Sequence, residues 1–195
     1  MKEEMNEPII LASSSPRRKR LLEQIDLKFD VIPSNIHEEI TLDLKPSLFV
    51  EHYAYEKANH IANLNQNKWV IGADTIVVFE EKIFGKPNNK NESYNMLSKL
   101  SGNIHEVYTG VSIQNKKKGI ENTFHEITEV EFNTLTKSDI LHYINRYNPY
   151  DKAGSYGIQD IFSLHIKKIN GCFYNVMGLP LAKFYESFTA LINKK

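Results

Sequence analysis

Two clusters in this chain carry residue types suited to handling phosphate. Ser13-Ser14-Ser15-Pro16-Arg17-Arg18 joins a short apolar run, Pro8 to Ala12, to a segment with Leu21, Leu22 and Ile25 at helical spacing. A helix start presents free N–H groups and the positive end of the backbone dipole, which favour an anion. Three hydroxyls and two guanidiniums in the same turn add donors that match phosphate oxygens. The same residues would also serve as an N-cap followed by a solvated basic face extended by Lys19 and Arg20. The full Gly-rich phosphate loop and the dinucleotide fingerprint are both absent.

The second cluster is Gly72-Ala73-Asp74-Thr75, inside an otherwise apolar run. A carboxylate there is costly unless it is paired, bound to metal or open to water. Strict alternation would put Asp74 and Thr75 on opposite faces of a strand. If both serve one site, the strand must bulge or end near Gly72. Lys57 and Lys86 are further cations, and Lys57 falls on the apolar stripe of its helix, where a Lys more often snorkels to water than serves a site. Glu38 is a candidate second carboxylate, with a solvated acidic loop as its alternative. The stretch Asp151 to Gln159 combines charge, small residues and an amide, and Gln159 has the paired donor and acceptor needed to read a base edge. The seven histidines form no tight cluster and no HExxH pattern. A bound metal would therefore be held by oxygen ligands, which suits Mg²⁺ or Mn²⁺. Cys172 is expected to be a small core residue.

The elements that must position these residues are legible in outline. Pro8 to Ala12 and Phe29 to Ile32 read as strands, with a helix between them that has Pro16 in its first turn. Pro46 to Asn63 reads as a helix, with Val50, Tyr53, Lys57 and Ile61 on one stripe. Trp69 to Phe79 reads as a strand interrupted by Gly72 and Asp74, ending in a turn at Glu80-Glu81-Lys82. Asn91 to Leu100 is helical; His105 to Ile113 and Ile120 to Phe132 are strands. Thr136 to Asp139 resembles a capping box ahead of Ile140, Tyr143 and Ile144. Asn148 to Gln159 is expected to be a loop, Phe162 to Ile169 a strand, Asn170-Gly171 a turn and Leu179 to Ile192 a closing amphipathic helix. Helices and strands are mixed without strict alternation, which points to a mixed α/β sheet with flanking helices.

Composition bounds the rest. The chain has 195 residues, and at roughly 150 residues per domain one domain spanning 1–195 is expected. With 41% hydrophobic and 25% charged residues, disorder is excluded as the main state. Lys plus Arg and Asp plus Glu both total 24, so no basic excess supports binding to a nucleic-acid polymer. One cysteine forms no internal disulfide, and no apolar run approaches the ~20 residues that span a bilayer. The short acidic N-terminus lacks the features of a signal peptide. A cytoplasmic protein is expected.

Taken in order, the motifs resemble the Maf family of nucleoside triphosphate pyrophosphatases. The matching strings are Leu11 to Arg18, Glu56-Lys57-Ala58, Gly72 to Val77, Gly85-Lys86-Pro87, Leu100-Ser101-Gly102, His105 to Val111, Asp151 to Gln159 and Asn175 to Pro180. The resemblance implies an elongated, two-lobed α/β fold with a cleft, related to that of the inosine triphosphate pyrophosphatases. It implies hydrolysis of a nucleoside triphosphate to the monophosphate and pyrophosphate with a divalent cation, Mg²⁺ or Mn²⁺. It gives Asp74 the part of general base and metal ligand, with Glu38 as the second metal ligand. Ser13, Arg17, Arg18, Lys57 and Lys86 match phosphate-binding positions. Arg17, Thr75 and Gln159 agree with the dTTP/UTP branch, where the 7-methyl-GTP branch carries Trp, Gln and Glu. Ser14 and Ser155 depart slightly from the family pattern. The family also suggests a homodimer and a link to septum formation. The alternatives are a pyrophosphatase for 7-methyl-GTP or another modified nucleotide, and a regulator of cell division that binds a nucleotide or protein partner.

Overall fold

In the computed structural model, which describes residues 7–37, 39 and 43–193, the chain is a mixed α/β protein. The strands are β1 (Ile9–Leu11), β2 (Asp30–Val31), β3 (Trp69–Phe79), β4 (Lys82–Phe84), β5 (Ile104–Asn115), β6 (Ile120–Phe132) and β7 (Ile166–Asn170). The helices are α1 (Pro16–Gln24), α2 (Pro46–Leu64), α3 (Lys90–Leu100), α4 (Lys137–Tyr147), α5 (Phe173–Met177) and α6 (Leu181–Ile192). The seven strands form one sheet in the order β2-β1-β3-β5-β6-β7, with β4 on β3. Pairing of β1 with β2 and β3 is parallel; β3 with β4 and β6 with β7 are antiparallel. No helix among the described residues is long and apolar enough to cross a membrane.

The chain divides into two compact units. One is formed by the chain up to Asp74, by Thr109–Glu126 and by the chain from Gly178; the other by Thr75–Tyr108 and Ile127–Met177. In the first unit β1 lies beside the start of β3, with Ile9 opposite Trp69 and Leu11 opposite Ile71. Helix α2 lies on these strands through Ala58, Ile61 and Ala62, packed with Ile10, Ala12 and Val70. Its approach is unusually close. A Cβ on Gly72 would stand 2.3 Å from the Ala54 carbonyl oxygen and 2.6 Å from the Ala58 nitrogen. A Cβ on Gly110 of β5 would stand 2.2 Å from the Val50 carbonyl oxygen. Val50, Ala54 and Ala58 recur every four residues, so one ridge of α2 touches bare backbone on two strands.

In the second unit the core is aromatic. Phe132, Tyr156, Phe162 and His105 meet edge to face or tilted, with ring centroids 4.7–5.4 Å apart. Burial pushes the His105 imidazole down to about 3, so it is neutral at ordinary pH.

Several elements differ from the sequence expectation. Strand β3 runs unbroken through Gly72 and Asp74, because Gly72 admits α2 instead of ending the strand. Strand β4 follows a two-residue turn in which Glu80 and Glu81 both take positive φ, a role usually left to Asn or Gly. Residues expected to begin a strand at Phe162 form a 3₁₀ turn, Ile161–His165, because the Asp160 carboxylate accepts the Phe162 N–H at 2.9 Å. The strand begins only at Ile166. Helix α5 was not expected, and α6 starts at Leu181 after Pro180. The Thr136–Asp139 capping box is present as expected. Cys172 is half-buried, not a core residue; its N–H donates to Thr128 Oγ1.

Gly72→Ala has no room without moving the α2 backbone. It should cost about 3 kcal/mol, a fall in Tm of roughly 6–12 °C for a chain of this size. Thermal unfolding followed by circular dichroism checks this; an unchanged Tm would show that the helix is free to retreat.

Candidate active site

The fold buries Asp74 beside Lys57. Side chains alternate along β3, so Asp74 shares the face of Gly72 and points toward α2. Lys57 stands next to Ala58 on the ridge that touches Gly72. Lys57 Nζ donates to Asp74 Oδ1 at 2.6 Å, with the two side chains 9% and 3% exposed. Asp74 Oδ2 is buried and has no hydrogen-bond partner among the described residues. A carboxylate oxygen left that way costs about 1–3 kcal/mol, so the position is built to receive a proton donor or a cation.

The Ser13–Arg18 loop follows β1 in the same unit. The Ala12 N–H donates to the Ile71 carbonyl at 2.8 Å, so this loop leaves the sheet level with a point three residues before Asp74. That is about 10 Å along the strand. Ser15 caps α1, its hydroxyl accepting from the Arg18 N–H at 3.4 Å, and Pro16 opens the helix. Arg18 is buried, and its Nε donates to the Gly178 carbonyl at 2.9 Å. Its Nη1 donates to Ser13 Oγ at 3.0 Å, and the Ser15 N–H donates to the same oxygen at 3.2 Å. With both acceptor positions of Ser13 filled, the hydroxyl proton is left to donate. Arg17, one residue earlier, is half-buried at the helix start.

Three further candidates, Thr75, Lys86 and Gln159, lie in the second unit. Alternation along the unbroken β3 turns half-buried Thr75 to the face opposite Asp74, so the two do not serve one carboxylate site by a strand bulge. Lys86 is exposed, and its neighbour Gly85 accepts the Gly154 N–H at 3.1 Å. Gln159 is exposed at the tip of a turn closed by the Asp160 N–H donating to the Gly157 carbonyl at 3.3 Å. Glu38 lies outside the described residues. The next residue, Glu39, donates its N–H at 2.7 Å to the hydroxyl of Tyr53, four residues before Lys57 on α2. No group of three or more His, Cys, Asp or Glu able to hold a metal occurs among the described residues.

A family model described as Maf-like protein matches residues 8–191. The chain belongs to the Maf family. A Bacillus cereus protein named dTTP/UTP pyrophosphatase is 48% identical over 175 residues, covering 90% of this Maf chain and 91% of that protein. A Desulforamulus reducens protein of the same name is 43% identical over 180 residues, covering 92% and 94%. Among solved structures, a HAM1 protein from Coxiella burnetii matches with a TM-score of 0.53 and 14% identity, covering 94% of this chain and 99% of that one. That last likeness concerns the fold.

Sequence reasoning on the Maf chain overlooked the partners that hold these residues: Gly178 for Arg18, and Tyr143 and Asp160 for the turn bearing Gln159. Tyr143 sits on the apolar stripe of α4, and nothing in its spacing signals a working hydroxyl.

Lys57→Met would leave the Asp74 charge buried and alone, at a cost of about 3–5 kcal/mol. Pairing it with Asp74→Asn removes that charge and should recover much of the loss. Urea unfolding of both single variants and the double variant measures the coupling. Additive costs would show that the two groups do not stabilise one another.

Proposed function

We propose that this Maf protein hydrolyses nucleoside triphosphates, with dTTP and UTP preferred, to the monophosphate and pyrophosphate. The observation that carries this is the buried Lys57–Asp74 pair, in which one carboxylate oxygen has no hydrogen-bond partner among the described residues. Relatives 43–48% identical that bear the name dTTP/UTP pyrophosphatase support the substrate class.

In this mechanism Asp74 Oδ2 takes a proton from water as the water oxygen bonds to the α-phosphorus. The bond from the α-phosphorus to the bridging oxygen breaks, and pyrophosphate leaves with the electron pair. Lys57 stays beside Asp74 and balances charge in a buried place. Ser13 donates its hydroxyl proton to a phosphate oxygen, held for that purpose by Arg18. Arg17 and Lys86 supply charge to the departing pyrophosphate, the kind of electrostatic contribution that dominates phosphoryl transfer. Gln159 reads the pyrimidine edge, with Thr75 and Arg17 shaping the base preference; losing one such contact costs about 1–3 kcal/mol of discrimination.

A divalent cation, Mg²⁺ or Mn²⁺, would suit the negative charge of this buried carboxylate, whose Oδ2 has no hydrogen-bond partner among the described residues. Glu38 would hold it, leaving Asp74 Oδ2 to the coordinated water. Bound there, it would offset phosphate charge and make a coordinated water more acidic.

Pyrophosphate release from dTTP, UTP, CTP, GTP and 7-methyl-GTP, with Mg²⁺ and with Mn²⁺, tests the assignment. Values of kcat/KM for dTTP and UTP should exceed the others by about tenfold or more. Release from 7-methyl-GTP alone would overturn the roles of Arg17, Thr75 and Gln159, and no release from any of the five would overturn the activity.

A further inference from the structure

The turn that carries Gln159 is held at both ends by one hydroxyl. Gly157 opens the turn and Asp160 closes it. The Gly157 N–H donates to Tyr143 Oη at 3.1 Å, and Tyr143 Oη donates to Asp160 Oδ2 at 3.1 Å. Asp160 Oδ1 accepts the Phe162 N–H, so the same carboxylate also starts the turn that follows. Gly157 is required by this arrangement, since a Cβ there would stand 2.5 Å from Asp160 Oδ2. Burial, and then the charge of Asp160, push the Tyr143 hydroxyl upward from its ordinary pKa, so it keeps its proton and can serve as acceptor and donor together.

The rest of the strap is fixed on either side of that turn. The Tyr156 hydroxyl bonds to His105 Nε2 at 2.8 Å, the Ser155 and Ser93 hydroxyls bond to each other, and Ile158 is buried. Gln159 is the exposed residue among these anchors. The turn therefore sets where the Gln159 side chain leaves the backbone, and the turn is set by the Tyr143 hydroxyl. The ring of Tyr143 has a separate task, packing against Tyr147 and Phe162 beside the buried Ile140 and Ile144. Removing the hydroxyl alone leaves that packing in place.

We propose that Tyr143, acting with Asp160, is a positioning residue that aims Gln159 and so governs which base the enzyme prefers. It rests on the reading that Gln159 recognises the pyrimidine. A fixed turn holds the Gln159 backbone in place before substrate arrives, so less ordering is left to binding; a loose turn presents the amide from many positions.

The experiment compares the parent chain with Tyr143→Phe, Asp160→Ala and Asp160→Asn. KM and kcat are measured for UTP and GTP, UMP binding is measured by calorimetry, and amide hydrogen exchange is followed across 156–162. Tyr143→Phe should raise KM for UTP about tenfold, with kcat within a factor of about three, and lower the UTP-over-GTP preference by a similar factor. UMP binding should weaken in step, and the 157–160 amides should exchange faster. Asp160→Ala should reproduce these changes, and Asp160→Asn, which keeps an acceptor oxygen, should recover part of them. A Tyr143→Phe variant that keeps the parent base preference and UMP affinity would overturn the role, whatever its melting temperature. A fall in kcat at unchanged KM would do the same. A parent that neither cleaves UTP nor binds UMP would instead remove the functional reading on which the role stands.

Discussion

Backbone contact between helix α2 and two strands sets the first unit. Gly72 and Gly110 leave no side chain between helix and sheet, so the Val50–Ala54–Ala58 ridge lies directly on the strand backbones. This closeness is what lets Lys57, neighbour to Ala58, reach a carboxylate two residues along β3 from Gly72. A side chain at position 72 would push the helix and Lys57 outward, and a buried carboxylate that loses its cation costs several kcal/mol. The pair and the packing are thus one feature: small residues at the contact, a charge pair beside it, and one carboxylate oxygen left to act.

The proposed chemistry uses groups that are held by others. Ser13 is aimed by Arg18, whose own position is fixed on the Gly178 carbonyl. Gln159 sits on a turn clamped by Tyr143 and Asp160. In each case the residue proposed to meet substrate is the one whose neighbours have their hydrogen bonds already made. Preorganisation of this kind moves the ordering cost from binding to folding.

Much of this was legible in the sequence, and the limits are physical. The strands, α2, the capping box at Thr136 and the place of Lys57 on an apolar stripe follow from local periodicity. Spacing alone does not distinguish a glycine that breaks a strand from one that admits a helix, as Gly72 does. The bond from Arg18 to a carbonyl 160 residues away has no local signal. The turn at Glu80-Glu81 is legible, but β4 after it is three residues long, too short for alternation to announce a strand. The ring of Tyr143 belongs to the core, and only the fold shows what its hydroxyl holds.

The central claim is that the unpaired oxygen of Asp74 takes the proton from the attacking water. The most direct test is single-turnover pyrophosphate release from UTP by Asp74→Asn, at a temperature where circular dichroism shows the variant folded. Removal of a general base should lower the rate by about 10²–10⁴-fold while UMP still binds. A folded variant that retains a rate within tenfold of the parent would contradict the claim and move the base to another residue.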